Sequence, residues 1–150
     1  MGKNAQGQVV PRIRSYSINN WIGGPQWPFN DSTWRVYHKL SEMAIPGPSE
    51  TFVFADERAD SINDGCFLVD MTGYPDQPGS AKMVDYPASY HNGSGCFSFA
   101  DNHAELKRWR DPRTMPPLNY STELSLVNNS MPNNSDIFWL QYHSTRPIAY

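Results

Sequence analysis

The 150-residue sequence is short of aliphatic side chains, of cysteine and of blocks of like charge, and each shortage closes off a class of protein. Hydrophobic residues make up 39%, so a core of leucine and isoleucine cannot fill a domain of this length. No run of about twenty apolar residues occurs, which leaves no membrane span in this sequence. Twelve Lys and Arg stand against fifteen Asp and Glu, without a basic block, so a nucleic-acid surface is not expected. No signal-peptide pattern is present. GxSxG, HExxH, Walker and GxGxxG patterns are all missing, and the chemistries they carry have no support. The two cysteines, Cys66 and Cys96, each stand in a Gly-Cys-Phe triplet. On neighbouring strands they could pair, which would suit an oxidising compartment; otherwise they are buried free thiols.

What the chain has is aromatic residues (13%), thirteen prolines and ten glycines, too much punctuation for long helices. MGKNAQGQ reads as an unstructured leader, and residues 1–10 are set apart from a single domain over 11–150. Alternation over 12–19 predicts a strand. TFVFAD (51–56), apolar and rich in β-formers, predicts a central strand, and CFLVDM (66–71) another. Val36, Leu40 and Met43 suggest a short helix over 34–43, and DIFWLQYH (136–143) a last helix capped by Asp136 or Ser135. The expected fold is α+β and β-rich. It has a small antiparallel sheet, long Pro/Gly/Asn-rich loops and one or two short helices.

The most informative stretch is HNGSGCFSFADNHAELKRW, 91–109. A two-residue turn at Asp101-Asn102 would set Phe97, Phe99, Ala104 and Leu106 on one apolar face. Ser98, His103, Glu105 and Lys107 would then share the polar face. Asp101 is in the first place a turn residue, and His91 could fold back towards it. The same His91, Asp101 and His103 are ligand types for zinc or copper, although the spacing matches no established metal signature.

This segment resembles the C-terminal signature of bacterial prepilin-type, pseudopilin-like proteins, a family named for a His, nine residues, then Asp-Gly. His91 and Asp101 match, and Asn102 stands where the family has glycine. RSYSINNWIG, PSETFVFADE, SINDGCF, DYPASYHNGSG and DIFWLQYHST extend the resemblance over roughly 12–145. The N-terminal methylation helix of that family does not occur in this sequence, so the likeness is to the C-terminal globular part. The resemblance implies a periplasmic, cell-surface or extracellular setting. It also implies pseudopilin or type II secretion components as partners.

Two further groupings bear on function. Asp60, Asn63 and Asp64, in an oxygen-rich turn, could hold calcium, the one cofactor the sequence suggests. A solvated acidic turn is the plainer reading, because the EF-hand spacing is absent. Asp56 or Glu57, paired with Asp101 or Glu105, could serve a glycosidase as general acid and nucleophile. Trp21, Trp27, Trp34 and Trp109, with Trp139, could then stack on sugars. The plainer reading is that these tryptophans fill a leucine-poor core. Two functions follow. One is the globular head of a pseudopilin-like, secretion- or surface-associated protein that works by protein or polysaccharide contact. The other is a small carbohydrate-active hydrolase on the same scaffold. Homo-oligomerisation stays open.

Overall fold

TFVFAD does become the middle of a sheet. The computed structural model describes residues 2–3, 9–10, 15–23, 33–118 and 129–148. In it, β3 (Tyr16–Asn19), β4 (Phe52–Asp56), β5 (Cys66–Phe67), β7 (Ser94–Phe99) and β8 (Ala104–Arg108) form one sheet in the order β5-β3-β4-β7-β8. The pairings are antiparallel except β3 with β5, which is parallel. Two small ladders stand apart. β1 (Gly2–Lys3) pairs with β2 (Val9–Val10), inside the stretch read as a leader, and β6 (Lys82–Met83) pairs with β9 (Asn129–Ser130). The one α-helix among the described residues, α1 (Ser135–Tyr142), packs on one face of the sheet. The class is the expected α+β, strand-rich one. No helix among the described residues is long and apolar enough to cross a membrane.

A bulge in β4 sets its inner face. Phe52 pairs with Phe99, but Phe54 pairs with Ser98, so one extra residue lies between them. Phe52 and Ala55 therefore both point inward, although they are three apart, and Phe54 turns out to solvent. Phe97 lies edge-on to Phe52, Trp109 and Trp139 at centroid distances of 5.3, 5.8 and 5.0 Å. Ile137, Leu140, Val69 and four methionines among them Met71 and Met83 pack around this aromatic group. Aromatic rings and flexible thioethers supply the volume that a leucine-poor sequence lacks.

Three local expectations need correction. The 34–43 segment holds only a 3-10 turn, Leu40–Glu42. Its backbone is engaged elsewhere: Tyr37 N–H donates to Trp21, and Arg35 N–H donates to Arg146. The strand expected over 66–71 ends at Phe67, because Leu68 N–H donates to Asp85 and Val69 N–H to Asn20 instead of to a neighbouring strand. The cap of α1 is Asn134, whose Oδ1 accepts from the N–H groups of Asp136 and Ile137.

The hairpin turn has three residues, Ala100, Asp101 and Asn102, not two. Phe99 N–H donates to His103, Asn102 N–H donates to Phe99, and Asn102 takes a φ of 76°. One added residue slips the register and turns β8 over. Phe97 now opposes Glu105 and Cys96 opposes Leu106. Leu106 therefore lies on the outer face, while His103, Glu105 and Lys107 overhang the inner one. His103 stacks flat on Phe99, at 4.4 Å and 7°, and the Lys107 ammonium lies 5.1 Å above the Trp139 ring. Both cover apolar surface and keep a polar end near water.

The left-handed conformation at Asn102 yields a prediction. Asn102→Gly should be neutral or stabilising by a few tenths of a kcal/mol. Asn102→Val should cost at least about 1 kcal/mol. Thermal melts of the two variants check this, and coincident curves would contradict the left-handed turn.

The cysteines do not pair. Cys66 is on β5 and Cys96 on β7, with β3 and β4 between them. Three strand spacings separate them by roughly 14 Å, at about 4.8 Å each. That is about twice what a disulfide spans.

Candidate functional site

His91, Asp101 and His103 are not brought together. His91 lies beyond the Ser94 end of β7 and Asp101 beyond the Phe99 end, with about 17 Å of strand between those ends at ~3.4 Å per residue. The His91 ring approaches Asp56 instead, at 3.9 Å, and burial pushes the Asp56 carboxyl up. Asp101 and His103 do meet, with Oδ1 2.6 Å from Nδ1, and these hydrogen bonds hold the Asp101 carboxyl below its usual value. That contact braces the turn. No group of three or more metal-ligating side chains is assembled among the described residues.

The acidic turn is engaged in the same structural way. Arg58 and Asp60, both buried, form a two-point ion pair at 2.6 and 2.9 Å. The guanidinium also donates to the carbonyls of Pro116 and Pro117. Asp64 Oδ1 accepts from Cys66 N–H at 2.7 Å. Asn63 is exposed at the turn.

The four carboxylates of a glycosidase do not share a cleft. Asp56 belongs to the outer row of the sheet, paired with Tyr16, whereas Glu105 overhangs the inner face beside Phe97. Asp101 stands at the hairpin tip. Glu57 is fully buried, with Ser17 Oγ donating to its Oε2 at 2.5 Å. Burial first, and then the charge of Asp85, raise the Glu57 carboxyl to about 8. Asp85 is itself buried and raised to about 7. Sequence reasoning did not find Asp85, because nothing in KMVDYP marks a valine-flanked aspartate as an interior residue.

The tryptophans divide. Trp21 and Trp109 are interior and cannot be sugar platforms: their indole N–H groups donate to the carbonyls of Val69 and Ala88. Trp27 lies outside the described residues. Trp34 is half-buried and lines an open cleft of about 270 Å³ with Met71, Gly73, Tyr74, Asp76 and Gln77. Its backbone is held by a bridge to Pro147. The opposite wall is a tight turn, in which Tyr74 N–H donates to Met71 and Gln77 N–H to Gly73. Gly73 has φ +85°, and a Cβ there would lie 2.3 Å from the Gln77 carbonyl oxygen, so only glycine permits this wall.

From the cleft an aromatic strip runs across the surface. Trp34 meets Tyr74 edge-on at 6.1 Å, and Tyr74 meets Phe138 at 5.2 Å. Phe138 and Tyr142 are exposed on α1. The Arg146 guanidinium lies 4.4 Å above the Tyr142 ring and 5.7 Å from that of Tyr74. Sequence reasoning named Trp34 and missed Tyr74, Asp76, Gln77, Phe138, Tyr142 and Arg146. These come from three distant segments, and only the fold assembles them.

No family model, curated protein or solved structure significantly matches the chain.

Proposed function

We propose that the chain is the globular head of a pseudopilin-like, secretion- or surface-associated protein, and that it works by contact, not by turnover. Of protein and polysaccharide, the second is the better fit to the cleft. The observation that carries this reading is the Trp34–Tyr74 cleft with Asp76 and Gln77 at its mouth and Phe138 and Tyr142 continuing the strip. Rings offer apolar faces to the C–H side of a sugar. A carboxylate and an amide accept from and donate to its hydroxyls. A shallow volume of about 270 Å³ suits a chain lying across the surface better than an enclosed small molecule.

Co-sedimentation with insoluble polysaccharides, peptidoglycan and chitin among them, tests the proposal. Wild type should be retained, and Asp76→Ala/Gln77→Ala, which alters exposed side chains only, should lose most of that retention with an unchanged melt. Equal retention of both proteins would set the cleft reading aside. Turnover of a chromogenic glycoside, abolished by Asp56→Asn or Glu105→Gln without loss of stability, would replace the contact reading with the hydrolase.

A further inference from the structure

The edge of the sheet carries a pattern that its own interior does not use. β8 is the last strand in the order, and among the described residues no strand pairs with its far side. Glu105, Lys107 and Trp109 fall on the side of the alternation that bonds to β7, in step with Phe99 N–H to His103 and Trp109 N–H to Gly93. Ala104, Leu106 and Arg108 therefore turn their N–H and C=O groups away from the sheet. A groove of about 430 Å³ runs along this edge, lined by residues 105 to 110. Leu106, 62% exposed, is the most exposed large apolar side chain described.

We infer that β8 pairs antiparallel with β8 of a second copy of this chain, about a two-fold axis at Leu106, to give a dimer with a continuous sheet. Ala-Glu-Leu-Lys-Arg is self-complementary in that register. Glu105 lies opposite the partner's Lys107, and Lys107 opposite the partner's Glu105. The two Leu106 side chains meet on the outer face. Hydrogen-bond parity agrees, because Leu106 opposes itself and Ala104 opposes the partner's Arg108, and all of these have outward backbone groups. That gives about six interchain bonds. The neighbouring registers of the same parity place Glu105 opposite itself or Lys107 opposite itself, and like charges directly opposite are unfavourable. A lysine on an edge strand ordinarily discourages pairing. Here the glutamate two residues before it supplies the partner charge, so the strand rejects other edges and accepts its own.

The test is sedimentation equilibrium of the full chain. Wild type should dimerise. Glu105→Lys and Lys107→Glu should each weaken the dimer by about tenfold or more, since each turns two attractive pairs into repulsive ones. Mixed in equal amounts, the two variants should pair with each other, because each then meets the opposite charge. Melting curves check folding; if Lys107→Glu fails to fold on losing Trp139, the exposed Glu105→Lys variant decides alone. The proposal is overturned by a wild type that stays monomeric at several hundred micromolar, or by a dimer indifferent to the reversals. It is also overturned by two folded, weakened variants that do not restore each other.

Discussion

Asp136→Ala is expected to destabilise the fold by about 3–5 kcal/mol, since each donor left without its charged acceptor costs on the order of 1–3 kcal/mol. The Asp136 carboxylate is fully buried in the first turn of α1, where the helix dipole favours a negative group. Its oxygens accept from the N–H of Arg110 and of Asp111 and from the Thr114 hydroxyl, at 2.8 to 3.1 Å. These bonds fasten the chain after β8 to the only α-helix described. Alanine would leave the buried Thr114 hydroxyl and two part-buried N–H groups without their acceptor. Asp136→Asn keeps the shape and one acceptor, and should cost about half as much. At roughly 2–4 °C per kcal/mol for a domain of this size, the alanine melt should fall by about 6–20 °C. A shift under about 3 °C would mean that the site relaxes or hydrates.

The second large effect runs against the usual direction for carboxylates. Glu57 and Asp85 have folded-state values raised to about 8 and about 7, chiefly by burial. Among the described residues, Glu57 Oε1 and Asp85 Oδ1 have no hydrogen-bond partner. The folded protein therefore holds protons that the unfolded chain releases above about pH 4. The stability they contribute is complete below that pH and is lost as pH rises through 7 to 8. Glu57→Gln removes the charge and keeps the shape. Near pH 4 it should melt with wild type, and at pH 9 it should be the more stable by about 1–3 kcal/mol. Melting curves of both proteins from pH 4 to 9 check this; a constant difference across the range would show that Glu57 does not gain a proton on folding.

How much of this was legible depends on where the deciding contact lies. TFVFAD announced a central strand because it is a short apolar run of β-forming residues, and DIFWLQYH announced a helix through local pattern and a nearby cap. Asn102 announced a turn, since its preference for positive φ is intrinsic. The turn's length was not written in those residues, and one residue more exchanged the faces of β8. β3 misleads in a different way. Its buried residues are Ser17 and Asn19, while Tyr16 faces solvent. The polar pair is inside because Ser17 bonds Glu57 and the Asn19 amide reaches the carbonyls of Phe52 and Ser144. Alternation shows that two faces differ; the partners that decide which one is buried lie 33 to 125 residues away. The same holds at the cleft. Trp34 draws notice as a tryptophan, but the strip proposed as a binding surface also needs Tyr74, Phe138 and Arg146, which contacts between distant segments bring together.

The central claim, that this domain works by contact along the Trp34–Tyr74 strip, is tested most directly by backbone and indole NMR shifts during titration with soluble oligosaccharides from a polysaccharide that retains the protein. The account predicts saturable shifts at Trp34, Tyr74, Asp76, Gln77 and Tyr142, with Asp56, His91 and Glu105 unmoved. Shifts centred on Asp56 and Glu105, with the strip silent, would contradict it.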